Sequence, residues 1–79
     1  ESNEIAILHL IAMINFYRKI GENNNRFDVI KLRIYYAKRS AMIEKQLEAY
    51  HDLEIYYFDT KQEEAAIQQL EIQLAIVDD

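Results

Sequence analysis

An all-α fold is predicted by three features of the sequence. It has no proline and a single glycine, which removes most of the turn chemistry an all-β chain needs. Half of the residues are hydrophobic while 29% are charged, a balance that favours a packed chain over a disordered one. The apolar residues recur at helical spacing, much of it in sevens. The predicted architecture is a helical hairpin with a long second helix, or a three-helix, coiled-coil-like bundle. Residues 1–79 form one domain, near the lower size limit for independent folding. Without cysteine, neither disulfides nor thiolate metal sites can support it.

The first helix is predicted over residues 3–20. Gly21 supplies the left-handed residue that closes many helices, and Arg18 and Lys19 sit well in the last turn. This helix is apolar nearly all round, from Ile5 through Tyr17. A helix without a polar face must be covered on several sides. Glu22-Asn23-Asn24-Asn25 reads as a loop, with Asn25 and Asp28 suited to cap the next helix.

The second helix is predicted over residues 27–58. Val29, Tyr36, Ile43, Tyr50 and Tyr57 recur every seven residues, with Tyr35, Met42, Ala49 and Tyr56 beside them. At 1.5 Å per residue it would be about 48 Å long. Asp59-Thr60 interrupts the pattern, and Thr60 with Glu63 has the capping-box spacing. A third helix over residues 61–77 follows, with Ile67, Leu70, Leu74 and Val77 as its stripe. The alternative is one unbroken helix from Phe27 to Val77.

An apolar surplus of this size points to a partner, either a second copy or a helical segment of another protein, the alternative being a compact three-helix monomer with a generous core. The candidate contact residues are Ile7, Ile11, Ile14, Tyr36, Ile43, Tyr50, Tyr57, Ile67, Leu70 and Leu74, several of which must also serve the core. Six tyrosines fit half-buried contact surfaces, since each joins a large apolar area to a polar tip. The predicted function is a non-enzymatic protein–protein interaction module, an adaptor, regulator or effector acting through helix pairing.

The competing reading is a small nucleic-acid-binding regulator. The net charge of −5 opposes general affinity for phosphate, but the charge is unevenly spread. Arg18, Lys19, Arg26, Lys31, Arg33, Lys38 and Arg39 cluster in one segment, opposed there only by Glu22 and Asp28. Lys31, Lys38 and Arg39 with Tyr35 would be the phosphate-facing group. From Glu44 onward acidic residues dominate, so an antiparallel pair of chains would bring basic and acidic ends together.

No catalytic constellation stands out, and no cofactor or metal is expected. His9 lies in the apolar helix, where a hydrogen-bonded structural histidine is the usual case. Glu48 and His51 meet the Glu-x-x-His spacing of di-iron helical proteins once, whereas such sites need it twice with two further Glu. Ser2 and Ser40 have no histidine at a suggestive spacing, and there is no glycine-rich phosphate loop. The basic residues do not follow the order found in helical chorismate mutases. The most apolar stretch, residues 5–17, is too short to span a bilayer. The chain begins at Glu1, as a trimmed or mature form would, and its compartment is left open between cytoplasmic and secreted. In general shape, a hairpin with a long second helix resembles the phyllogens, small helical effectors that engage coiled-coil segments of transcription factors. It looks similarly like bacteriocin immunity proteins and phage-encoded regulators. The resemblance is one of architecture alone and implies a protein-binding role.

Overall fold

The computed structural model describes residues 2–78. The fold is all-helical, with four helices rather than three: α1 (Ser2–Ile20), α2 (Asn23–Ser40), α3 (Ile43–Asp59) and α4 (Glu63–Asp78). Each packs antiparallel on its neighbour in the chain: α1 on α2, α2 on α3, α3 on α4. Among the described residues, no two non-consecutive helices bring their backbones into contact. The result is a flat array measuring 32 × 29 × 13 Å.

The three turns follow one design. Gly21, Ala41 and Lys61 take left-handed backbone angles, with φ of 75°, 59° and 62°, at intervals of twenty residues. The N–H of each donates to the carbonyl three residues back, on Arg18, Lys38 and Phe58. After Gly21 and Lys61 the next N–H reaches five residues back, from Glu22 to Tyr17 and from Gln62 to Tyr57, completing Schellman motifs. After Ala41 the Met42 N–H donates instead to the Ser40 hydroxyl at 3.3 Å. Each following helix starts two residues after the left-handed one, with Glu22, Met42 and Gln62 accepting its first bond.

Three expectations are corrected by this geometry. The long second helix is divided at Ala41–Met42, and its two halves fold onto each other as α2 and α3. Of the seven-residue pattern, Val29 and Tyr36 of α2 and Ala49, Tyr50, Tyr56 and Tyr57 of α3 reach the core, while Tyr35, Met42 and Ile43 near the break are exposed. That division also removes the feature on which the likeness to phyllogens rested. The three asparagines are the first turn of α2 rather than a loop. Gly21 reverses the chain within two residues, and a first helical turn tolerates Asn because its N–H groups have no helical acceptors anyway. The break near Asp59-Thr60 is present, by a mechanism other than a capping box. The Thr60 hydroxyl donates backward to the carbonyls of Tyr56 (2.9 Å) and Tyr57 (3.3 Å), closing α3 rather than opening α4. Ser40 makes the equivalent bond to Ala37 at the end of α2.

The core runs along the middle of the array. Leu10 and Ile14 of α1, Val29 and Ile30 of α2, and Leu53 and Tyr56 of α3 form one cluster, flanked by Tyr17, Phe27 and Tyr57. Ile7, Ala37 and Ala49 form a second, where two alanines let α2 and α3 approach closely. At the edge holding the turns at Gly21 and Lys61, Asp59 pairs with Arg18 of α1 at 3.1 Å and with Arg26 of α2 at 3.0 Å. Across the α2–α3 seam Arg33 pairs with Asp52 and, at 3.8 Å, with Glu48.

Candidate interaction surfaces

In a one-dimensional array the two end helices have a neighbour on one side only, and arrays of this kind normally present a polar outer face there. Neither end helix here does so. On α1, Ile7, Leu10 and Ile14 are buried toward α2, while Ile5, Leu8, Ala12 and Phe16 line the opposite side. Leu8 is 67% exposed. The spacing i, i+3, i+7, i+11 keeps these four in one band of the helix surface.

α4 is inverted more plainly. Its buried side holds Ala66, Gln69 and Gln73, with Ala65 and Ile76 half-buried beside them. The Gln73 amide donates to Glu54 of α3 at 3.0 Å, and Gln69 donates at 3.4 Å to the Ala65 carbonyl within its own helix. Ile67, Leu70, Leu74 and Val77 all face solvent, with Leu74 63% exposed. With Gln69 buried and Leu74 exposed, apolar burial within this chain does not by itself account for the orientation of α4.

The sequence-derived contact residues separate accordingly. Ile7, Ile14 and Tyr50 are buried in the core, out of reach of a partner in this conformation, and Ile11, Tyr36 and Tyr57 are half-buried against it. Ile43, Ile67, Leu70 and Leu74 are exposed. Sequence reading passed over the α1 band of Ile5, Leu8, Ala12 and Phe16. A helix apolar on every side offers no contrast from which to choose its outward face, and the signal appears only once the neighbour is known.

The basic residues do not form one surface. Arg26 and Arg33 are buried, with side chains 4% and 9% exposed, and serve the ion pairs with Asp59, Asp52 and Glu48. Arg18 shares Asp59, and Lys19 lies at the outer end of α1. Lys31, Lys38 and Arg39 remain exposed on α2. Lys31 pairs with Asp28 at 3.7 Å and lies over the Phe27 ring. Lys38 lies over Tyr50, and Arg39 donates to the Tyr35 hydroxyl at 2.8 Å.

His51 Nδ1 and Glu54 Oε1 are 3.0 Å apart, and Gln73 takes the same oxygen. Among the described residues no three His, Cys, Asp or Glu side chains converge on a metal-sized point. None of the described helices is long and apolar enough to cross a membrane. Comparison with protein-family models, with curated proteins and with solved structures finds no match.

Proposed function

We propose that this protein is a non-enzymatic interaction module whose end helices pair with helices of a partner through their outer apolar stripes. The orientation of α4 carries the reading, because Gln69 and Gln73 face the fold while Ile67, Leu70, Leu74 and Val77 stay exposed. Exposed apolar area on this scale marks contact surfaces in well-behaved proteins. The second reading, nucleic-acid binding, draws its support from the exposed Lys31, Lys38 and Arg39 beside Tyr35 on α2. It is weakened by Arg26 and Arg33, whose charges are neutralised inside the molecule.

The two readings separate by salt. Solution mass and the anisotropy of labelled single- and double-stranded DNA are measured at about 50 and 200 mM salt. Apolar helix pairing should survive the higher salt, whereas phosphate contacts weaken steeply over that range. Protein association in both salts, with negligible DNA binding, is the expected result. DNA binding that collapses in high salt and is lost on changing Lys31, Lys38 and Arg39 to Ala would overturn the proposal.

A further inference from the structure

The two outer stripes are complementary to each other in length, register and charge. On α1 the band Ile5, Leu8, Ala12, Phe16 ends at Lys19. On α4 the line Ile67, Leu70, Leu74, Val77 begins at Glu63. Both run over fourteen residue steps, about 21 Å of helix. Laid antiparallel with Ile5 beside Val77, Leu8 falls beside Leu74, Ala12 beside Leu70, Phe16 near Ile67 and Lys19 near Glu63. Every pair is in step to within one residue. The small Ala12 meets a leucine and Lys19 meets Glu63, while Glu4 and Asp78, flanking the far end of the apolar lines, are the one like-charge pair in this register.

This pairing also keeps the alternation of helix direction. The helices alternate in direction along the array, so the next one after α4 must run as α1 does, with its C-terminal end beside the N-terminal end of α4. An α1 from another copy placed there repeats the antiparallel step already made three times within the chain. Building on the helix-pairing function proposed above, we infer that the partner is a second copy of this chain, docked head to tail with its α1 against the exposed apolar stripe of α4, which borders the α3-facing side of that helix.

Symmetric pairing fits less well. α4 carries Glu63, Glu64, Glu71 and Asp78 and no basic residue, so two α4 helices would oppose like charges along their length. Pairing α1 with α1 would leave the α4 stripe uncovered. A head-to-tail contact is heterologous and does not close at the dimer, so assembly grows into longer arrays or rings.

The test uses the full chain and two variants on exposed positions, Leu8→Glu/Phe16→Glu and Leu70→Glu/Leu74→Glu, with helicity checked by circular dichroism. Mass is followed by sedimentation velocity over a concentration series. The wild type should grow beyond a dimer as concentration rises. Each variant alone should remain at 9.4 kDa. Their equimolar mixture should form a dimer and stop, since one intact α1 face and one intact α4 face remain. A gentler pair checks the register without touching the apolar lines. Lys19→Glu should weaken association up to about fivefold, as expected for an exposed ion pair, and adding Glu63→Lys should restore it.

Association lost in one variant but retained in the other would overturn head-to-tail docking and leave helix pairing standing. Association unaffected in both variants would overturn docking and the helix-pairing function together. A wild type that stays monomeric at all concentrations would overturn docking and assign the stripes to a different polypeptide.

Discussion

The sign of one substitution decides whether the chain turns at Ala41. In a left-handed conformation an L-residue other than glycine is strained by about 1–2 kcal/mol, because Cβ crowds the following carbonyl oxygen. Ala41 has φ 59° and bears that strain. Ala41→Gly removes it but lets the unfolded chain gain freedom, which offsets about 0.4–1 kcal/mol. The net expectation is stabilisation by about 0.5–1 kcal/mol. Lys61→Gly, at φ 62°, should stabilise to a similar degree. Gly21→Ala should do the reverse. A Cβ built on Gly21 meets nothing within 4 Å, so backbone strain alone sets a loss of about 0.5–1 kcal/mol. Urea denaturation at one low protein concentration, with unchanged slopes, measures all three. For a domain of this size 1 kcal/mol moves the thermal midpoint by about 4–8 °C. Were α2 and α3 one continuous helix, Ala41→Gly would place glycine in a helix interior and cost about 1 kcal/mol. A destabilised Ala41→Gly variant would therefore refute the four-helix array.

Three further substitutions probe how the helices are fastened together. Asp52→Ala leaves the Arg33 guanidinium in a largely apolar seam with only the exposed Glu48 nearby. It should cost about 2–3 kcal/mol in urea denaturation, below the fully buried case because Asp52 keeps some solvent contact. Arg33→Met, which removes the charge itself, should be far milder, and an equal loss in both variants would contradict the ion-pair argument. Asp59→Ala should cost about 1–2 kcal/mol by leaving the buried Arg26 without a carboxylate. A thermal midpoint within 2 °C of wild type (about 0.5 kcal/mol or less) would show that Arg26 is solvated after all. Ala49→Leu should destabilise by about 1–3 kcal/mol, since Ala49 is fully enclosed where α2 meets α3. A stabilised variant would mean that this seam is looser than the structure has it.

The lone residues that punctuate the chain were legible to different degrees. Gly21 is the residue type that a left-handed turn selects, and the first reversal could be read from it directly. The interruption after Asp59 was visible as well, although Thr60 acts there by bonding back to Tyr56 and Tyr57. Ala41 carries no such mark, because alanine is the best helix former and gives no hint of a turn. Its one local signal was Ser40, a hydroxyl residue just before the turn as Thr60 is twenty residues later. Ser40-Ala41 and Thr60-Lys61 only become equivalent once both turns are seen. Arg26 and Arg33 were equally opaque, since nothing local separates an arginine held by Asp59 or Asp52 from one facing solvent.

Composition and spacing alone therefore determined that this chain is helical, that it reverses at Gly21, and that it is rich in apolar surface, and they marked an interruption near Thr60 without deciding between a break and a continuous helix. Those properties depend on neighbours within a few residues, which the sequence states. The tertiary structure alone decided which side of α1 and α4 stays uncovered. A stripe such as Ile67, Leu70, Leu74 and Val77 fixes that a helix has an apolar side, and ordinarily that side would turn inward. Here Gln73 reaches Glu54 and Ala66 admits close packing on α3, so the leucines point outward. The orientation of a helix is a contest between its faces for one neighbour, and its outcome depends on what that neighbour offers.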